Sequence, residues 1–513
     1  MKIFQQIQIN KEKSNSFDLS HDKKLSFNMG ELVPMLCQEV IPGDTFNVQS
    51  EQLIRLAPMV APMMHKVDVY THFFYVPNRI LWSRWEDFIT GTEENQPIFP
   101  VINAQNIRIG GLSDNLGYPT ESNNTLESKL KLSALPIAAY HKIYDEFYRD
   151  QNLIEPIYQE VEDGFNSYYD QQKNSLQRRA WSHDYFTSCL PFAQKGEAVT
   201  LGINGIAPVQ FKRNSEPMKY VDPITGQPLV TPNINGSTAL SKAPNGEVYA
   251  GNTPLGRLDN SDNLQVQLTD VEAVKINDLR RAFKLQEWLE KNARAGTRYA
   301  ESLLSHFGVR SSDARLQRPE YLGGGKSHLA ISEILQTSQS ESTPLGTLAG
   351  HGINVGQSNN FNKRFEEHGI IIGIISILPK PSYMNTTPKM LFKFDKFDYA
   401  FPTFANLGEQ EVLNREIDGN HIEPEKVFGY LPRYAEYKNT HDSVSGDFKT
   451  TLDFWHMSRK FANSPQLNKD FIECNPDNRI FAVTDETDKV WCHIRHNITA
   501  RRMLPLFGTP SLL

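Results

Sequence analysis

The sequence predicts a mainly β fold whose strands are separated by long ordered loops containing several helices. Three observations lead there. Of 513 residues, 11% are aromatic, while 31 are Gly and 30 are Pro; large side chains to bury are thus combined with frequent turn-formers. The stretch HKVDVYTHFFYVPN (65–78) alternates at period two, with Val67, Val69, Thr71, Phe73 and Tyr75 on one face and Asp68, Tyr70, His72 and Phe74 on the other. Aromatics on both faces mark a central strand covered on both sides. The longest apolar run, Ile370 to Leu378 (IIIGIISIL), falls well short of the ~20 residues of a membrane helix and fits a buried strand.

Taken in order, residues 1–30 carry too little apolar surface to fold alone and read as an arm. Extended segments occupy 16–55, with Pro34, Pro42 and Gly43 as turn signals. After the 65–78 strand, Asn78 suits a helix N-cap, RILWSRWEDFIT (79–90) follows, and Gly91 stops it. Residues 92–130 read as loop. In SALPIAAYHKIYDEFYRDQN (133–152), Ser133 caps, Pro136 sits in the first turn, and Ile137, Tyr140, Tyr144 and Phe147 make a helical stripe. Residues 170–196 are mixed and end in a Pro/Gly break.

The texture changes from Glu197 to Asp270. This stretch is dense in Gly, Pro, Asn, Ser and Thr and almost free of aromatics. An insertion of that size without helical periodicity reads as a surface excursion of short strands and turns. Two helices follow: 276–296, with Ile276, Leu279, Phe283 and Leu289 near one stripe, and 297–308, with Thr297 as cap and Gly308 as stop. The last ~140 residues alternate strands (GIIIGIISILP, NRIFAVT, KVWCHIRHNITA) with an expected helix at DFKTTLDFWHMSRKF (447–461). The resulting organisation is an arm (1–30), a first core part with helical insertions (31–196), a surface insertion (197–270), and the remaining core with helical insertions and a C-terminal tail (271–513).

The formal net charge is -7. A protein that coats nucleic acid over its whole surface is usually basic, so any such contact is confined to a local face. Cys37, Cys189, Cys474 and Cys492 are far apart and form no C-x-x-C pair, which argues against a metal framework and for reduced thiols made in a cytoplasm. The segment MKIFQQIQINKEK offers no apolar run for a signal peptide, and a soluble chain without membrane insertion is expected.

No catalytic constellation emerges. LGGGKS (322–327) resembles the end of a phosphate-binding loop, but that loop needs Gly five residues before Gly325, where Glu320 stands. A plain loop is the expected reading. The 14 histidines include no H-x-x-x-H. His65 with His72, and His493 with His496, are spaced onto opposite faces of a strand and cannot chelate one ion. Neither a catalytic nor a metal residue is nominated, and no cofactor is expected. Basic clusters occur at Lys23–Lys24, Arg178–Arg179, Arg280–Arg281 and in the tail at Arg495, Arg501 and Arg502, with Trp491 and Phe507 nearby. The tail trio is the candidate DNA-facing cluster, because phosphates need positive charge and aromatics can stack bases. Its bland alternative is a solvated face or subunit salt bridges.

Several stretches together resemble microvirus major capsid proteins, those of the gokushoviruses above all. They are 16–46 (SFDLSHDKKLSFNMGELVPMLCQEVIPGDTF), 54–91, 132–152, 184–196 (DYFTSCLPFAQKG), 276–324, 345–352 (LGTLAGHG), 407–414 (LGEQEVLN), 427–438 (VFGYLPRYAEYK) and 452–461 (LDFWHMSRKF). The resemblance implies an eight-stranded antiparallel jelly roll of viral-capsid type. It implies self-assembly into a T=1 icosahedral shell around circular single-stranded DNA, in a virion built in the host cytoplasm, with no enzymatic activity. It also implies partners: copies of the same chain, a small basic DNA-binding viral protein, minor virion proteins and a bacterial host receptor. Glu197 to Asp270 falls where such proteins carry a variable insertion associated with threefold protrusions and host contact. The arm at 1–30 is then expected to order against neighbouring subunits. The competing readings are a carbohydrate-binding or metal-dependent jelly-roll enzyme, which would need a convergent His/Glu cluster, and a secreted adhesin.

Overall fold

A computed structural model describes residues 14–91, 96–120, 130–200, 276–337, 346–357 and 360–506, with six short strands between Val209 and Val266. Eleven strands organise the core. They are β1 (Asn15–Asp18), β2 (His21–Phe27), β3 (Val33–Val40), β4 (Thr45–Leu56), β5 (Val67–Pro77), β6 (Glu320–His328), β7 (Ala330–Leu335), β8 (Leu348–Gln357), β9 (Phe361–Arg364), β10 (Gly369–Pro379) and β11 (Val490–Arg502). One antiparallel sheet has the order β11–β4–β8–β7; β1 and β2 pair end to end along β11, and β9 pairs the first residues of β4. The second antiparallel sheet has the order β6–β5–β10–β3.

Both sheets contribute to one apolar core. The first supplies Leu25, Phe27, Phe46, Val48, Ile54, Ile494 and Ile498; the second supplies Val33, Met35, Val67, Val69, Phe73, Ile371, Ile375 and Ile377. On the opposite face of the second sheet, Phe74, Val76, Ile370, Ile372 and Ile374 pack against α1 (Leu135–Phe147), which offers Ile137, Tyr140 and Tyr144. Even- and odd-numbered residues of β10 thus enter different cores. That is why its whole length is buried and reads as an unbroken apolar run. The central position expected for 65–78 is borne out by β5, flanked by β6 and β10.

Contacts divide the chain into two units, one of residues 1–195 with 290–513, the other of 196–289. In the second, a four-stranded sheet (order Leu240–Lys242, Val248–Ala250, Thr253–Asp259, Lys219–Val221) accompanies a pair formed by Val209–Phe211 and Leu264–Val266. The rest of the 197–270 stretch lies largely outside the described residues.

Several expectations need correction. NRIFAVT (478–484) forms turns with an isolated bridge at Phe481 in place of a strand. The 92–130 loop contains a short strand (Val101–Asn103) and a short helix (Leu112–Leu116), and Ala134, not Ser133, is the N-cap of α1. The arm at 1–30 is not wholly an arm: β1 and β2 pair with β11 of the same chain, and Leu25 and Phe27 are buried in its core. Residues 1–13 lie outside the described residues. LGGGKS is not a loop but the middle of β6, paired with β5. Glycine is needed there because a Cβ on Gly324 would lie 2.5 Å from the His72 ring and 2.7 Å from the Thr71 carbonyl oxygen. The helix expected at 447–461 is two 3-10 turns, Gly446–Lys449 and Asp453–Trp455. Consecutive Thr450 and Thr451 disfavour helix, and buried His456, Met457 and Ser458 run extended into the fold. Residues 79–90 form a 3-10 turn (Asn78–Ile80) and a short helix (Trp85–Thr90) in place of one helix. Asn78 lies inside that turn, with Pro77 at the cap. Finally, α3 (Tyr299–Phe307) is capped at Arg298, not Thr297, with Glu301 reaching back to the Arg298 N–H at 3.1 Å. Its Gly308 stop adopts the left-handed conformation as expected.

Candidate genome-contact and assembly surfaces

The 13 residues of β11 alternate cleanly. Val490, Cys492, Ile494, His496, Ile498 and Ala500 are buried, while Trp491, His493, Arg495, Thr499 and Arg501 are exposed on the outer face of the first sheet. This alternation splits the basic trio. Arg495 and Arg501 share the outer face, about 20 Å apart at strand spacing. Arg502 has the opposite parity: its Nε donates to Asp44 Oδ2 at 3.0 Å and its Nη2 to the Glu39 carbonyl at 2.8 Å. Asp44 is fully buried, and burial raises its pKa against the opposing pull of the Ile41 N–H and Arg502. Arg502 therefore neutralises a buried carboxylate.

Register shows what surrounds the other two. Arg495 stands directly opposite Asp22 on β2 and Glu51 on β4, and its Nε donates to Asn497 Oδ1 at 3.3 Å. Its charge is locally balanced. Arg501 stands opposite Thr45, which in turn stands opposite Arg364 on β9, placing the two guanidinium-bearing residues in one row about 10 Å apart. Arg501 Nε also donates to Ser14 Oγ at 2.9 Å. At the far end, exposed Trp491 stands opposite Arg55, and Lys24 stands opposite His493. The face is broad and open, with scattered cations and one exposed indole: a surface that can meet phosphates as point charges, without a base-reading groove. Arg364 and Arg55 went unnoticed in the sequence because nothing local links them to the tail. Phe507 lies outside the described residues.

The remaining basic pairs have other duties. Lys23 points inward and donates to the Pro34 and Asn115 carbonyls, and burial lowers its pKa to about 8. Arg178 donates to the Met29 and Cys474 carbonyls. Arg179 lies 4.1 Å from the Tyr70 ring, in a cleft of about 790 Å³ lined also by Tyr148, Trp181, Arg298, Arg318 and Tyr321. Arg298 pairs with Glu301 at 3.1 Å and Arg318 with Asp313 at 2.7 Å, so two of these cations have acid partners at hand. Arg280 and Arg281 are exposed on α2 (Ile276–Ala295), where Ile276, Phe283 and Trp288 are exposed as well.

Several histidines are hydrogen-bonded into the fold. His65 hydrogen-bonds the Lys380 carbonyl at 2.7 Å, and His456 the Phe448 carbonyl at 2.8 Å. His496 is held between Ser50 Oγ at 2.7 Å and the Met35 carbonyl at 3.0 Å. Among the described residues no group of three or more His, Cys, Asp or Glu side chains is placed to hold a metal ion. The four cysteines are free thiols, and Cys189, Cys474 and Cys492 are buried. No helix among the described residues is long and apolar enough to cross a membrane.

Comparison with known proteins places the whole chain. The profile of the family described as "Capsid protein (F protein)" matches residues 5–512. The chain is 37% identical to the capsid protein VP1 of Bdellovibrio phage phiMH2K, over 97% of this chain and 95% of that protein. It is 34% identical to the capsid protein VP1 of Chlamydia phage 1, with the same coverages. It is 32% identical to the capsid protein VP1 of Spiroplasma virus 4, over 96% and 94%. The resemblance drawn from the sequence stretches is borne out along nearly the whole length: this chain belongs to the Capsid protein (F protein) family.

Proposed function

We propose that the chain is the structural subunit of a closed T=1 icosahedral shell around circular single-stranded DNA, and that its core is an eight-stranded antiparallel jelly roll. Strand order carries the fold reading. The strands β2–β11–β4–β8 make one four-stranded set and β3–β10–β5–β6 the other. Along the chain, every connection between these eight crosses from one sheet to the other, except that from β5 to β6. Such winding is what a double-sheet jelly roll requires. The near full-length likeness to three proteins named capsid protein VP1 supports the shell role. The subunit serves structure and performs no catalysis.

Contacts with the genome are sparse and independent of sequence. A net charge of -7 and carboxylates beside Arg495 leave only scattered cations, with Arg501 and Arg364 as the main pair. Bulk neutralisation then falls to a separate small basic viral protein, accompanied by minor virion proteins. The Glu197 to Asp270 insertion, poor in aromatics and rich in turn-formers, is the segment for contact with a bacterial receptor. Sedimentation velocity and electron microscopy of the purified chain test the central reading. Discrete closed particles are expected; a stable monomer that turns over a substrate would overturn it.

A further inference from the structure

Segment 389–407 reverses the usual arrangement of a chain in water. Lys389 and Lys393 are spent on a neighbouring layer, while most of its large apolar side chains are exposed. Lys393, only 4% exposed, donates to Glu436 at 3.1 Å and to Tyr437 Oη at 2.9 Å. Lys389 donates to the Glu411 carbonyl at 2.8 Å, and the Arg415 guanidinium lies 4.3 Å from the Phe392 ring. The Phe401 N–H donates to Tyr434 Oη. Three 3-10 turns, Lys389–Phe392, Lys396–Asp398 and Pro402–Phe404, fix the backbone, and Asp398 accepts the Phe394 and Asp395 N–H groups. On this scaffold Phe394 is 84% exposed, Met390 69% and Leu407 63%, and Leu391, Phe397 and Tyr399 are each more than half exposed.

Taking roughly 200 Å² for a large apolar side chain, these residues with Phe401 and Tyr437 present on the order of 1,000 Å² of surface. That sum is comparable with one side of a standard protein–protein interface, roughly 800 Å² per partner. Aromatics and Met are the residues enriched at an interface centre, and the exposed Asp395, Lys396 and Asp398 would sit at its polar rim. We propose that segment 389–407 is a subunit contact, buried against a second copy of this chain. The proposal rests on the shell reading, since a shell subunit must bury such a surface on its own copies.

The test compares the full-length chain with Phe394→Asp and Leu407→Asp by sedimentation velocity, with thermal unfolding of the dissociated subunit as a check on folding. Wild type is expected to form particles. Each variant is expected to unfold within a few degrees of wild type yet lose particle yield at least tenfold. Wild type that never assembles overturns the shell reading and this contact with it. Variants that assemble like wild type overturn the contact alone. Should the Asp variants fail to fold, maleimide labelling of Phe394→Cys decides. Protection in particles relative to dissociated subunits supports the contact, and equal labelling overturns it. Wild-type particles that float with phosphatidylglycerol vesicles through an unprotected Phe394→Cys would assign the patch to lipid and likewise overturn it.

Discussion

At the scale of single residues, burial decides which charges are structural. Arg502 and Arg501 are neighbours in sequence, but strand parity sends one to a buried carboxylate and the other to an open face. Arg502→Ala should therefore destabilise the subunit by on the order of 3 kcal/mol, because Asp44 is left buried without its cation. Denaturant unfolding measures this, and the deficit should shrink as acid protonates Asp44. Gly324→Ala should cost roughly 1–3 kcal/mol through the clash with the His72 ring and Thr71 carbonyl. His72, His141 and His496 are all held down to about 4, chiefly by burial. Their folded pKa values lie below the unfolded value, so the unfolded chain takes up protons that the fold refuses. The stability they contribute is complete above about pH 6.5 and drains away as pH falls toward 4. His141 has both ring nitrogens buried without a hydrogen-bond partner. Melting curves at pH 7 and 5 should differ less for His141→Phe than for wild type.

At the scale of elements, periodic signals proved reliable at three elements that pack against a core. The 65–78 strand, the Ile370 to Leu378 strand and the helix at α1 all follow their apolar spacing into place. Helix reading failed at 447–461, where apolar spacing coexists with Thr450–Thr451 and the aromatics serve different neighbours. Strand reading failed at LGGGKS because glycines carry no pattern; the need for them appears only when β5 lies alongside. The insertion is expected to be dispensable for folding. Replacing 197–270 by a short Gly/Ser linker should leave the circular dichroism and melting temperature of the remaining chain close to wild type. A wholly insoluble product would assign the segment to the core.

At the scale of the whole molecule, the first sheet sets Arg364 and Arg501 in one row. Replacing Arg364 and Arg501 together by Ala should lower the DNA content of purified particles, read as absorbance at 260 against 280 nm, while particle number stays near wild type. Equal loss of particles and DNA would make the pair an interface feature. The tail trio legible in the sequence is thus resolved into an exposed arginine gaining a distant partner, a balanced one and a structural one.

The sequence by itself determined the β-rich class, the family and the position of the long aromatic-poor stretch, because these rest on composition, local period and linear likeness. Only the tertiary structure decided which tail cations face carboxylates, why Gly324 must be glycine and that 15–27 belongs to the sheet. Each of those depends on strand register between residues far apart in sequence, and register brings together Arg501 with Arg364, and Gly324 with His72, without leaving a local trace.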